Sequence, residues 1–328
     1  MDAGPVRLAA APRPVGARNS HTVGGNMTCP HRHIVITGAS TGIGRATALR
    51  FADGGWHVYA GVRRSDDGTA LIRASRSGNI TPLVLDITAS DQISAAVKTV
   101  SQHVGPPGLN ALVDNAGIGV TSPMELVDID ALRHQYEVNV FGQVAVTQAF
   151  TPLLRQARGR LVIIGSIGDR MTPPFGGPLA SSKAAIASIA DAFRQELAPW
   201  GIRVVLIEPA SIRTDAVDKV ERDAHAVVAG FTPAGSELYR DSYLGMVQVA
   251  MSREQNGSPP SVVADLVAAV VTKSRPRSRY VVGKDARLLA NLTRFVPTLM
   301  FDAMRRRLFH LPAPGSLSAT PVCQGVTS

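Results

Sequence analysis

Short runs of β-branched and aliphatic residues recur at His33–Thr37, His57–Val62, Thr81–Leu85, Ala111–Asp114, Arg160–Ile164 and Arg203–Glu208. Each suits a strand. The first five are followed, at varying distance, by stretches with apolar residues at helical spacing, clearest at Ile43–Ala52, Ser90–His103, Ala131–Leu154 and Ala180–Pro199. Strands alternating with helices predict right-handed crossovers and a parallel sheet covered on both faces. The uninterrupted run Leu161-Val162-Ile163-Ile164 fits a strand buried on both sides. A further strand at Arg279–Val282 closes the sheet. The expected fold class is α/β, a single doubly wound domain with a parallel sheet of about seven strands.

Composition supports a folded body with unstructured ends. The chain has 328 residues, 45% apolar and 18% charged, enough for a sizeable core. Residues 1–31 are rich in Ala, Pro, Gly and Arg without periodicity and read as a disordered leader. Met27 is a possible alternative start, and a transit peptide is the rival reading, against which Asp2 counts. The expected domain spans 32–283, a basic helical extension 284–311, and a disordered tail 312–328. No stretch reaches the roughly 18–20 apolar residues of a spanning helix. The first 30 residues lack an apolar signal core. A cytoplasmic protein is expected. The two cysteines, Cys29 and Cys323, lie near opposite termini, so neither a disulfide framework nor a metal site is expected.

The net charge of +9 suggests a nucleic-acid partner until it is located. Residues 1–32 hold four Arg and one Asp, and residues 273–310 hold ten Lys/Arg and two Asp. The body between them has 20 basic and 22 acidic side chains. The body is not basic, and no nucleic-acid partner is expected.

The first strand runs into Thr37-Gly38-Ala39-Ser40-Thr41-Gly42-Ile43-Gly44. The glycines permit a tight turn and close ligand approach, and the following helix aims its N–H groups and positive dipole end at that ligand. A pyrophosphate suits the place; a purely structural glycine turn is the alternative.

This loop resembles the T-G-x-x-x-G-x-G motif of the short-chain dehydrogenase/reductase family, and the resemblance covers about residues 32–283. Other family landmarks follow in order. Asp86, with Ile87 beside it, stands where the family's Asp faces the adenine ring. Asp114-Asn115-Ala116-Gly117 is similar to N-N-A-G, with Asp for the first Asn. Asn139 matches the helix Asn that holds a water in the family's proton relay, Ser166 the catalytic Ser, and Lys183 the catalytic Lys, which also binds the nicotinamide ribose. Pro209-Ala210-Ser211-Ile212-Arg213-Thr214 resembles P-G-x-x-x-T, which assigns Pro209, Ile212 and Thr214 to the nicotinamide end. The resemblance implies a dinucleotide-binding oxidoreductase, and a homo-oligomer is expected.

The second strand ends in Val62-Arg63-Arg64, with no acid until Asp66. An NAD site places an Asp or Glu there for the ribose 2′-OH, whereas a guanidinium grips a 2′-phosphate. NADP(H) is therefore favoured over NAD(H), against the alternative that both arginines are solvated surface charges.

Residue 179 departs from the pattern. The family's Y-x-x-x-K places Tyr four residues before Lys on one helix face, but counting back from Lys183 gives Leu179. Leu has no ionisable proton and cannot act as general acid or base, a role worth roughly 10²–10⁴-fold. Three explanations stand: a catalytically silent nucleotide-binding protein with a regulatory or interaction role; a displaced donor such as Asp169, Tyr239, Tyr243 or a water held by Lys183 and Asn139; or a recent loss. Ser166, Lys183 and Asn139 also have bland readings, as a strand end, a ribose ligand and a helix anchor.

Residues 214–256, where the family places its substrate lid, read as two helices, Asp215–Gly230 and Pro233–Glu254. Phe231, Leu238, Tyr239, Tyr243, Leu244, Met246 and Met251 could line a pocket for a lipophilic alcohol or carbonyl, or simply form core. Val58-Tyr59-Ala60 with Arg63, the Ile207-Glu208-Pro209 segment and the C-terminal extension are similar to the hydroxysteroid and retinol dehydrogenase branch. Residues 286–309 form a basic amphipathic pattern broken at Pro297. It suits either peripheral contact with an anionic membrane or docking on the domain.

Overall fold

The computed structural model describes residues 32–213 and 217–316. The predicted leader, the tail beyond residue 316, and Thr214 lie outside the described residues. The strands are β1 (His33–Ile36), β2 (His57–Val62), β3 (Ile80–Val84), β4 (Ala111–Asp114), β5 (Arg160–Ile164), β6 (Arg203–Pro209) and β7 (Arg279–Val282). They form one sheet in the order β3-β2-β1-β4-β5-β6-β7, with every pairing parallel. This is a doubly wound, Rossmann-type α/β fold. All carboxyl ends share one edge, and the order reverses between β1 and β4, where such sheets open a ligand crevice.

Period-two alternation sends each strand's side chains to both layers. Leu161 and Ile163 pack with Leu112, Phe150, Leu154 and Ile186 on one face. Val162 and Ile164 pack with Ile36, Val113, Phe51 and Val267 on the other. The first layer is roofed by α3 (Ser90–Val104), α5 (Gln143–Ala157) and α6 (Gly177–Glu196), the second by α1 (Gly42–Asp53), α2 (Ser65–Ala74) and α9 (Pro260–Thr272). The continuous helix expected over Ala131–Leu154 is instead α4 (Ile129–Tyr136), a π-helical turn at Glu137–Gly142, and α5. After β6 the chain forms α7 (Val217–Ala229) and α8 (Pro233–Gln255), then α9 returns to the sheet before β7. Two helices, α10 (Ala286–Phe295) and α11 (Thr298–Leu308), follow β7 and are separated at Pro297.

Candidate active site

The turn between β1 and α1 is held by backbone that admits no side chain. Gly38 (φ +63°) and Gly42 (φ +53°) occupy the left-handed region. A Cβ on Gly44 would lie 2.2 Å from the Gly38 carbonyl oxygen. Thr37 Oγ1 accepts from the backbone N–H of Asn115 (2.9 Å) and Ala116 (3.0 Å), and Asn115 Nδ2 donates to the carbonyls of Thr37 and Gly38, each at 3.0 Å. The loop after β4 thus fixes the glycine turn. Ser40 and Ile43 are half-buried and Thr41, preceding α1, is exposed. The first N–H groups of α1 have no intrahelical acceptor, which leaves them for an anion.

The other proposed dinucleotide residues stand at the same sheet edge. At the end of β2, Arg64 turns to Asp67 (2.8 Å), while Arg63 is exposed and makes no hydrogen bond or ion pair among the described residues. After β3, Asp86 Oδ1 accepts from the backbone N–H (2.9 Å) and hydroxyl (2.7 Å) of Thr88. Those bonds, with Arg63 nearby, hold its carboxyl below the usual range. Ile87 is buried beside it. Pro209 ends β6, and Ile212 pairs with Ser258 in an isolated parallel bridge. The edge fits a dinucleotide, with a close-packed glycine cradle at a helix start and an uncommitted guanidinium one strand away.

Three amides at four-residue spacing hold the loop that follows Asn115. Gln143 Nε2 donates to Ala116 O (2.8 Å). Asn139 Oδ1 accepts from Ile118 N–H (2.8 Å), and its Nδ2 donates to Ile118 O (2.9 Å). Gln135 Oε1 accepts from Val120 N–H at 2.5 Å. All three side chains are fully or nearly fully buried. Gln135 and Gln143 escaped the sequence reading; the signal was polar residues at i, i+4 and i+8 on an otherwise buried helix face. Asn139 Nδ2 also reaches Ser182 Oγ (3.0 Å), which donates to Leu179 O (2.8 Å) and so ties the loop to α6.

Leu179 and Lys183 occupy successive turns of α6 and face that loop. A Cβ at Gly119 would stand 3.6 Å from Leu179 Cδ2, and one at Gly117 3.6 Å from Lys183 Nζ. The Lys183 ammonium donates to Ile164 O (3.2 Å) at the end of β5, and burial draws its pKa down to about 8. Ser166, just beyond β5, uses Oγ to accept from Gly168 N–H (3.0 Å). The structure therefore brings Asn139, Leu179 and Lys183 together around residues 117–119.

Of the residues considered as alternative donors, both tyrosines are hydrogen-bonded to other groups, and Asp169 is paired through one oxygen while its Oδ1 is buried without a hydrogen-bond partner among the described residues. Tyr243 is fully buried, and its hydroxyl contacts Thr121 Oγ1 (3.0 Å) and donates to Thr121 O (3.2 Å). Tyr239 donates to Glu125 (2.5 Å). Asp169 lies in a cluster with Arg279 (3.3 Å), whose guanidinium also meets Glu208 and Asp191. Burial and the neighbouring Glu208 raise the Asp169 carboxyl above its usual range.

Comparison with known proteins shows the family. The family model described as short chain dehydrogenase matches residues 32–225. The NADPH-dependent 3-dehydrocapnine reductase of Ornithobacterium rhinotracheale is 33% identical over 281 residues, covering 83% of this chain and 95% of the relative. Retinol dehydrogenase 7 of Mus musculus is 32% identical over 280 residues, covering 83% and 87%. Among solved structures, a short chain dehydrogenase from Burkholderia cenocepacia J2315 in complex with NADP superposes with a TM-score of 0.62 at 24% identity, covering 86% of this chain and 99% of that one. A glycine turn fixed by Asn115, a lysine beneath the next loop and relatives matched along most of their length lead to one assignment: the chain belongs to the short-chain dehydrogenase/reductase family of oxidoreductases.

Proposed function

We propose that this chain binds NADP(H) and acts on a lipophilic alcohol or carbonyl, with proton transfer impaired because Leu179 stands where the family's Tyr stands. The observation that carries the reading is the side chain one turn before Lys183, a hydrocarbon packed toward Gly119. A bound nicotinamide dinucleotide would supply or accept the hydride. The chain's own task is to hold the dinucleotide and manage the proton at the substrate oxygen.

Arg63 supports the 2′-phosphate preference, because its guanidinium is exposed and uncommitted while Arg64 is paired with Asp67. The NADPH-dependent relative and the NADP-bound structural neighbour point the same way. A lipophilic substrate is supported by the retinol dehydrogenase relative. A second reading, a silent nucleotide-binding protein with a regulatory or interaction role, is favoured by Asn139, whose amide is spent on Ile118 and Ser182.

Fluorescence titration with NADPH and NADH, then turnover on a panel of lipophilic ketones and alcohols, tests both readings. The parent should bind NADPH and turn over near background. Leu179→Tyr should raise turnover by roughly 10²-fold or more, the scale of a recovered general acid. Brisk turnover by the parent, unchanged by Leu179→Tyr, overturns the impairment. NADPH binding with no turnover in either protein favours the silent reading.

A further inference from the structure

The two C-terminal helices both carry large apolar residues that the described protein leaves exposed. Phe301 and Arg305 lie along the inner side of α11, and Phe309, which caps its end, follows at the same four-residue spacing. Phe301 and Phe309 are buried, and Phe309 joins the cluster of Tyr243, Met246 and Val247 from α8. Arg305 donates to Thr172 O (2.5 Å), on the segment between Ser166 and Leu179. One side of α11 is therefore fixed to α8 and to the rim of the candidate site.

Elsewhere the two helices face outward: Leu299 (82% exposed), Met300 (61%), Met304 (46%) and Leu308 (39%) are the large apolar residues exposed on α11, and Leu288 (59%) and Phe295 (72%) those on α10. Met300, Met304 and Leu308 form a straight stripe one position around from the inner one. Arg287, Arg294, Arg306 and Arg307 flank this face, and none makes an ion pair among the described residues. The acids on the two helices and their approach are Asp285 and Asp302, and Asp302 is already paired with Arg305.

We infer that the outer face of α10 and α11 docks on an anionic lipid bilayer, placing the α8 side of the candidate site against the membrane surface. The helices have ten and eleven residues against the roughly twenty needed to cross, so they lie along the surface rather than through it. Apolar side chains would enter the acyl boundary while arginines reach the headgroups, their stems alongside the apolar stripe. Charge selects this occupant over a second copy of the chain. A two-fold contact would bring the same unpaired arginines against one another, with one unpaired acid, Asp285, to offset them.

The test is flotation of the full chain with vesicles of phosphatidylcholine alone or with added phosphatidylglycerol, at low and high salt. The protein should float with the anionic vesicles at low salt and lose most of that binding at high salt. Phe295→Glu with Leu299→Glu alters two exposed positions and should abolish flotation while leaving thermal unfolding unchanged. Arg287→Gln with Arg294→Gln should weaken partition by about 30-fold. Absence of binding to anionic vesicles overturns the inference, as does binding that the Glu pair leaves intact. A dimer in light scattering that the Glu pair dissociates would assign the face to a second copy instead. The readout is partition rather than turnover, so its failure is distinct from failure of the proposed activity.

Discussion

Asp114 carries the sharpest prediction about stability. It ends β4 at the centre of the sheet with no exposed surface. Thr147 Oγ1 donates to its Oδ2 (2.6 Å), but no donor reaches Oδ1. Burial raises the carboxyl from its usual 3.8 to about 7. The folded state therefore binds this proton more tightly than the unfolded chain does. Below about pH 4 the group is protonated in both states and costs nothing. As pH rises toward 7 the unfolded chain ionises first, so stability falls, and it levels off above the folded value. A shift of that size corresponds to a folded-state penalty on the order of 4 kcal/mol at pH 8. Asp114→Asn removes the titration and places an N–H₂ where Oδ1 lacks a donor. It also restores the residue of the family's N-N-A-G pattern. Gln143 Oε1, one turn before Thr147 and likewise buried without a partner, is a candidate acceptor. Urea unfolding at pH 5 and pH 8, followed by fluorescence of the buried Trp56, reads the effect. The variant should gain several kcal/mol over the parent at pH 8 and much less at pH 5. The raised Asp169 carboxyl titrates in both proteins and cancels in the difference. A gain independent of pH, or no gain at pH 8, would refute the buried-charge argument.

Further outcomes follow from the cofactor edge and the amide ladder. Arg63→Glu should weaken NADPH binding by about 100-fold and reduce or reverse the preference over NADH, since it replaces a charge-assisted contact with repulsion. Arg64→Ala should do much less, because Asp67 already holds that side chain; equal effects in the titration would sink the assignment to Arg63. Asn139→Ala should cost about 2–4 kcal/mol by orphaning Ile118 N–H and O in the interior, measurable by chemical denaturation. Faster amide exchange at Ile118 should accompany the loss, and unchanged exchange would count against the ladder.

Much of the fold was legible because the central strands, buried on both faces, are continuous apolar runs, and the edge strands β3 and β7 were marked by their β-branched residues. The β3 estimate was off by one residue, with Ile80–Val84 forming the strand. Helix α9 went unread because its valine-rich sequence has low intrinsic helicity. Packing makes it helical: Val263, Val267 and Val270 enter the core, and Asp265 pairs with Arg50 of α1 (2.7 Å). The helix pattern over Ala131–Leu154 carried no sign of the π-helical turn, which appears only as a change in hydrogen bonding around Asn139. At the site, the glycine turn and the positions of Ser166, Leu179 and Lys183 could be counted along the chain. The commitment of Asn139 to Ile118 could not, because it joins residues 21 apart that only folding brings together, and the Arg64–Asp67 pair, though local, appears only once α2 forms.

Those partners change what the retained residues mean. Lys183 bonds the last carbonyl of β5 and so pins α6 to the sheet. Ser166 accepts the N–H of Gly168 and shapes the turn that leads toward Asp169. Asn139 fastens residue 118 and, through Ser182, the backbone of Leu179. Each would be held in place by folding alone, so their presence is no measure of turnover. Leu179 is different, because its side chain accepts and donates nothing. A phenol there would have Lys183 one turn away, whose ammonium would lower its pKa by charge proximity. On the reading proposed above, residue 179, where structure makes the least demand, is therefore the position that would separate a working dehydrogenase from a nucleotide-binding relative.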